Sequence, residues 1–146
     1  MKIYPYREGF FDIWLKLRMH LWPYHMSETL ESEMMEILNH MDKNQIFFCF
    51  DENVCTGFIE VSIKEQVDFL PLSKIGYIEG WYVTEEYRRQ GIGKRLVNKA
   101  QKWIKSQGSQ WIASDTTEDY PISPKAHLSL GFQLSEKPLH YIKRIA

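Results

Sequence analysis

Arg88-Arg89-Gln90-Gly91-Ile92-Gly93 joins a strand-like run, Tyr77-Ile78-Glu79-Gly80-Trp81-Tyr82-Val83, to the start of a long amphipathic helix. The first turn of any helix leaves backbone N–H groups without helical partners, and the helix dipole favours an anion there. Gly91 and Gly93 carry no Cβ, so a diphosphate can approach the main chain closely. The spacing matches neither common nucleotide fingerprint: Gly-x-x-x-x-Gly-Lys-Ser/Thr is absent, and Gly-x-Gly-x-x-Gly lacks its third glycine. The loop therefore suggests a phosphate-bearing cofactor, against the plainer alternative of structural punctuation before a helix. Two carboxylates stand near it in sequence. Glu79 is a charge inside an otherwise apolar strand, which is costly unless it is paired or faces a solvated cleft. Asp115 ends the next strand, at the edge where ligands of α/β sheets bind, although Asp115-Thr116-Thr117-Glu118-Asp119 is also ordinary turn chemistry. Carboxylates so placed can attract a cation or accept a proton.

The elements that must position these groups follow from periodicity. Ile3–Tyr6 reads as a short strand, and Pro5 places it near a sheet edge. Phe10, Ile13, Trp14, Leu17 and Leu21 recur at helical spacing, with Lys16, Arg18 and His20 assigned to the opposite, polar face. Trp22-Pro23 closes that helix. Ser27 is the expected N-cap of a second helix with the apolar stripe Leu30, Met34, Ile37, Leu38 and Met41. Ile46–Phe50 and Val54–Ile63 predict an antiparallel hairpin about Asp51-Glu52-Asn53. Ile75–Thr84 is a strand in which Gly80 marks a bulge or a close backbone approach. Ile92, Leu96, Ala100, Trp103 and Ile104 form the buried face of the helix after the loop, Lys99, Lys102 and Lys105 its solvated face, and Gly108 its end. Trp111–Ser114 predicts a strand, Ser123–Leu130 a short helix, and the segment from Gly131 onward the last strands. The order β-α-α-β-β-β-α-β-α-β is an α/β layout around a mixed sheet.

Composition narrows the functional classes. A chain of 146 residues with 44% hydrophobic and 14% aromatic content has the size and core of one domain spanning residues 1–146. A net charge of −1 argues against a general nucleic-acid footprint. The longest apolar runs are too short to cross a bilayer, and the first residues lack the apolar core of a signal peptide. A cytoplasmic protein with Cys49 and Cys55 as free thiols is expected. His20, His25, His40, His127 and His140 have no metal-ligand spacing, so no metal is expected.

The motif Arg88-x-x-Gly91-x-Gly93 resembles the coenzyme A diphosphate loop of the GNAT superfamily of N-acetyltransferases. Leu17-Arg18-x-x-Leu21-Trp22-Pro23, Ile78-Glu79-Gly80-x-Tyr82-Val83, Ala113-Ser114-Asp115-Thr116, His127-x-x-Leu130-Gly131-Phe132 and Ser135-Glu136 extend the resemblance to bacterial aminoglycoside 6′-N-acetyltransferases. The resemblance implies the acyl-CoA N-acyltransferase fold, a mixed and mostly antiparallel sheet with a bulged central strand and about four helices. It implies acetyl-CoA as co-substrate, held by Tyr82, Val83, Thr84, Arg88, Arg89, Gln90, Gly91, Ile92, Gly93, Lys94 and Arg95. Catalysis falls to Glu79, Asp115 and His127, and the aminoglycoside pocket to Trp22, Glu79, Asp115, Glu136, Tyr120 and Gln66. His127 stands where many members place a tyrosine that protonates the departing thiolate; it either donates that proton or hydrogen-bonds as a buried histidine. Gln66 and Tyr120 replace a Tyr and an Asn of the resembling enzymes, and Phe69 or Tyr120 is available to restore an aromatic contact. A homodimer, and no nucleic-acid or membrane partner, are expected. Two other functions fit the same residues: acetyl transfer to another small amine or a protein amine, and a non-catalytic coenzyme A-binding sensor.

Overall fold

The computed structural model describes residues 1–65, 74–115, 133–134 and 140–145; the expected helix at Ser123–Leu130 lies outside them. The described elements are, in chain order, β1 (Lys2–Pro5), α1 (Phe11–Leu21), α2 (Ser27–Leu38), β2 (Asn44–Asp51), β3 (Val54–Lys64), β4 (Ile75–Val83), a single 3-10 turn (Glu85–Tyr87), α3 (Ile92–Ser106), β5 (Trp111–Asp115), β6 (Gln133–Leu134) and β7 (His140–Arg144). They fall into two compact units, one of residues 1–61 and 80–100, the other of residues 62–79 and 101–146.

In the first unit β1, β2, β3 and the second half of β4 are successive neighbours. β1 pairs antiparallel with β2, Ile3 opposite Cys49, and among the described residues has no neighbour on its other side, as Pro5 predicts. The core centres on Trp14, Leu17, Met34, Ile46, Phe48 and Phe58, the positions that the helical and alternating patterns mark as apolar. α2 begins one residue earlier than expected. Ser27 is its first helical residue, and Met26, in extended conformation, is the cap, with no side-chain capping bond.

In the second unit β4 pairs parallel with β5 through Gly76–Ile112, Tyr77–Ala113 and Ile78–Ser114, and β5 continues antiparallel to β7 and then β6. Gly76 is a packing requirement, since a Cβ there would fall 2.4 Å from Ile104. Gly108, at φ +90°, ends α3 as expected. Lys74 Nζ donates to Gln107 O at 2.6 Å to tie that turn down. Among the described residues no helix is long and apolar enough to cross a membrane.

Candidate active site

The end of β4 sets the orientation of one backbone donor. Thr84 N–H donates to Thr56 O on β3 at 2.9 Å. In a planar trans peptide a carbonyl and the following N–H point opposite ways. Val83 O therefore faces away from β3, where Arg88 Nε donates to it at 2.8 Å. Tyr82 O faces β3 instead, so close that a Cβ on Gly57 would lie 2.7 Å from it. By the same rule the Val83 N–H points away from β3. Arg88 also lays its guanidinium 5.4 Å over the Tyr82 ring, so this arginine braces the strand end.

Beyond it the chain turns through two left-handed residues, Arg89 at φ 65° and Gly91 at φ 81°. A non-glycine in that region carries about 1–2 kcal/mol of strain, and alternating helical hands make backbone N–H groups converge as an anion nest. The Arg95 N–H donates to Gly91 O at 3.0 Å. The N–H groups of Ile92, Gly93 and Lys94 precede it and have no partner within α3. The two glycines do different work. Gly91 supplies the backbone hand, with open space where a Cβ would sit, whereas a Cβ on Gly93 would press within 3.2 Å of the Trp81 indole. Arg95 is engaged with Met1 O at 3.2 Å. Arg89 and Lys94 are exposed and make no ion pair among the described residues.

Trp22 follows α1 and is half-buried. A Cβ on Gly80 would come within 2.9 Å of its Cη2, so the glycine in β4 provides the close approach that the sequence allowed. Arg18 lies 4.8 Å over the Trp22 ring. Its place corrects the helical-face assignment: Arg18 does not share the solvent with Lys16 and His20 but is 3% exposed. Its Nε and Nη2 donate to Glu60 on β3 at 2.7 and 3.1 Å, and its Nη1 donates to Leu30 O and Glu33 at 3.0 and 3.1 Å. Glu60 Oε2 also accepts from Trp14 Nε1 at 2.7 Å. Burial alone lowers the guanidinium pKa, but the hydrogen bond and charge of Glu60, then of Glu33, raise it above its usual value.

Glu79 is both paired and solvated. Its Oε1 accepts from Ser62 Oγ at 2.8 Å and from Lys64 Nζ at 3.1 Å, with 38% of the side chain exposed. The residues following the last β4–β5 pair are Glu79 and Asp115, so the two strand positions named in the sequence stand side by side in register. Of Asp115 only the backbone is described, opposite His140 on β7. Gln66, Tyr120, His127 and Glu136 lie outside the described residues. Sequence reasoning missed Arg18, Glu60, Ser62 and Lys64. The signal was present, since Glu60, Ser62 and Lys64 alternate in an otherwise apolar strand, as Glu79 interrupts its own. Cys49 and Cys55 are free thiols. Among the described residues no group of His, Cys, Asp and Glu is arranged to hold a metal ion.

A strand ending in an outward N–H leads through a left-handed turn into a helix N-terminus, and the chain belongs to the acetyltransferase (GNAT) family, whose model matches residues 11–132. Within that family it is similar to the type 1 aminoglycoside N(6′)-acetyltransferase of Acinetobacter genomosp. 13, 35% identical over 99% of both chains. It is also similar to the enzyme of that description from Salmonella typhimurium strain LT2, 34% identical over 91% of this chain and 92% of that one. Among solved structures, AAC(6′)-Ig from Acinetobacter haemolyticus superposes with a TM-score of 0.88 at 31% identity over the whole of both chains. AAC(6′)-Iy in complex with the bisubstrate analogue CoA-S-monomethyl-acetylneamine does so with a TM-score of 0.85 at 31% identity, over 93% of this chain and 92% of that one.

Proposed function

We infer that this protein is an aminoglycoside 6′-N-acetyltransferase that moves acetyl from acetyl-CoA to the 6′-amino group of an aminoglycoside, and so confers resistance to it. The observation that carries the reading is the run from the Val83 N–H to the α3 N-terminus, which offers donors suited to a thioester carbonyl and a diphosphate on one short stretch. The relatives named above, 31–35% identical, supply the substrate class.

Acetyl-CoA supplies an activated acetyl thioester, and this chain's residues do the rest. The Val83 N–H donates to the carbonyl oxygen and stabilises negative charge as it develops there. The N–H groups of Ile92, Gly93 and Lys94, with the turn Arg89, Gln90 and Gly91, receive the diphosphate; Arg89 and Lys94 add charge. Arg88 and Arg95 hold the loop in place, and Tyr82 and Thr84 line the cofactor's path. Glu79 attracts the substrate ammonium through Oε2 and takes its proton directly or through water, so that the neutral amine attacks in a ternary complex without a covalent enzyme intermediate. Asp115 and Glu136 hold further ammonium groups, and Trp22 stacks on a sugar ring. Gln66 and Tyr120 tune which sugar fits, and His127 is assigned the proton for the departing thiolate. We assign residues 1–146 to one N-acetyltransferase domain that works as a cytoplasmic homodimer without nucleic acid or membrane.

An acetyl-transfer assay across 6′-amino and 6′-hydroxy aminoglycosides, reading thiol release, tests this. Turnover is expected with the amino compounds alone, and Glu79→Gln is expected to lower kcat/KM by about 100-fold. Turnover of spermidine with none of kanamycin would overturn the substrate, and coenzyme A binding without transfer would overturn the enzyme.

A further inference from the structure

Glu79 already holds an ammonium group, and it belongs to the protein. Ser62 and Lys64, two residues apart on β3, both reach the same oxygen of Glu79, while Oε2 accepts no hydrogen bond among the described residues. The two contacts are unequal. Ser62 is buried at 7% exposure, a neutral donor fixed by its strand. Lys64 is 42% exposed at the end of a flexible stem, and its Nζ also rests 4.0 Å over the Tyr77 ring.

We propose that Lys64 is a tethered competitor at the ammonium subsite of Glu79, a residue that limits affinity for the amine substrate and takes no part in the chemistry. The inference rests on the reading that Glu79 binds the substrate amine. Orientation of the carboxylate does not depend on Lys64, because Ser62 still holds Oε1 without it. What Lys64 uniquely contributes is a positive charge beside the oxygen pair that an incoming ammonium must approach. A substrate cation has to share Glu79 with that charge or displace it. Displacement is cheap: an exposed pair of this kind is worth at most about a five-fold factor. The displaced Lys64 also keeps a favourable place on the Tyr77 ring.

Lys64→Met keeps the apolar stem and removes the charge. Calorimetric Kd and steady-state KM for kanamycin are expected to fall by about three- to five-fold at low salt. The gain should shrink at high salt, where exposed charges are screened, and KM for acetyl-CoA should not move. Lys64→Arg should behave as the wild type. In a Glu79→Gln background, which removes the contested charge, Lys64→Met should no longer tighten kanamycin binding. An unchanged or raised Kd in Lys64→Met, or an equal gain in both backgrounds, would sink the proposal. Wild-type turnover is measured first and judges the parent reading separately. If spermidine replaces kanamycin as the amine acetylated, the sugar assignment fails and the same ratio is read with spermidine. If neither amine binds or turns over, the parent reading falls and takes this inference with it.

Discussion

Glu60 and Lys64 lie on the same strand, β3, and each forms an ion pair, but the two pairs live in different dielectrics. Glu60 meets Arg18 with side chains 2% and 4% exposed, whereas Lys64 meets Glu79 with 42% and 38% exposed. The buried pair is saturated. Both oxygens of Glu60 are occupied, and Arg18 makes further bonds to Leu30 O and Glu33. The solvated pair leaves one carboxylate oxygen open. Desolvated charges must be fully satisfied or they destabilise the fold, so the first pair is committed to structure. Water shares the cost of the second, and its groups remain open to other partners from solvent. Burial, more than residue type, separates a carboxylate committed to the scaffold from one left open to solvent.

The largest effect expected from this contrast is on stability. Glu60→Ala strands the Arg18 guanidinium in the first unit's core and should cost about 3–5 kcal/mol in urea unfolding. Lys64→Met should cost less than about 1 kcal/mol, and equal losses would dissolve the distinction. A step down in size, Gly80→Ala sharpens the role of the buried pair as the backing of Trp22. A methyl 2.9 Å from the indole must push it against Arg18, costing about 1–3 kcal/mol. It should raise KM for the aminoglycoside more than KM for acetyl-CoA, and a KM for the sugar that does not move would separate Trp22 from the substrate.

The smallest effect extends the contrast to a group with no ionic partner. Burial pushes the Cys55 thiol up to about 11, partly offset by the Gly57 backbone and reinforced by Cys49. Its folded pKa lies above the unfolded one, so the stability that this thiol contributes is fully present below about pH 8.5 and is lost as pH rises from there through about 11. Alkylation by iodoacetamide at pH 8 should accordingly run about 100-fold slower than for an exposed cysteine. Rapid labelling would mean that the hairpin opens far more readily than its packing implies.

The sequence made the backbone features legible because they are local. A glycine before a helix, alternating apolar residues and a lone Glu in a strand speak through neighbours within a few positions. The loop at Arg88–Gly93, the hairpin around Glu52 and the edge position of β1 were all readable in this way. The partners of charges were not readable. Arg18 sits on a helix flank where spacing assigns it to solvent, and partners distant in sequence, Glu60 above all at 42 residues away, explain its burial. The two glycines of the loop look equivalent in the chain, yet one serves backbone hand and the other makes room for Trp81.

What the amino-acid order determined by itself was the set of elements among the described residues, the turn that precedes α3 and the identity of the acidic groups, since these depend on torsions and short-range periodicity. Tertiary structure alone decided which carboxylate is sealed against Arg18, which is left half in water beside Lys64, and which way the Val83 N–H points. Those outcomes depend on pairings between residues distant in sequence, and an ion pair's worth is set by the solvent that folding removes from it.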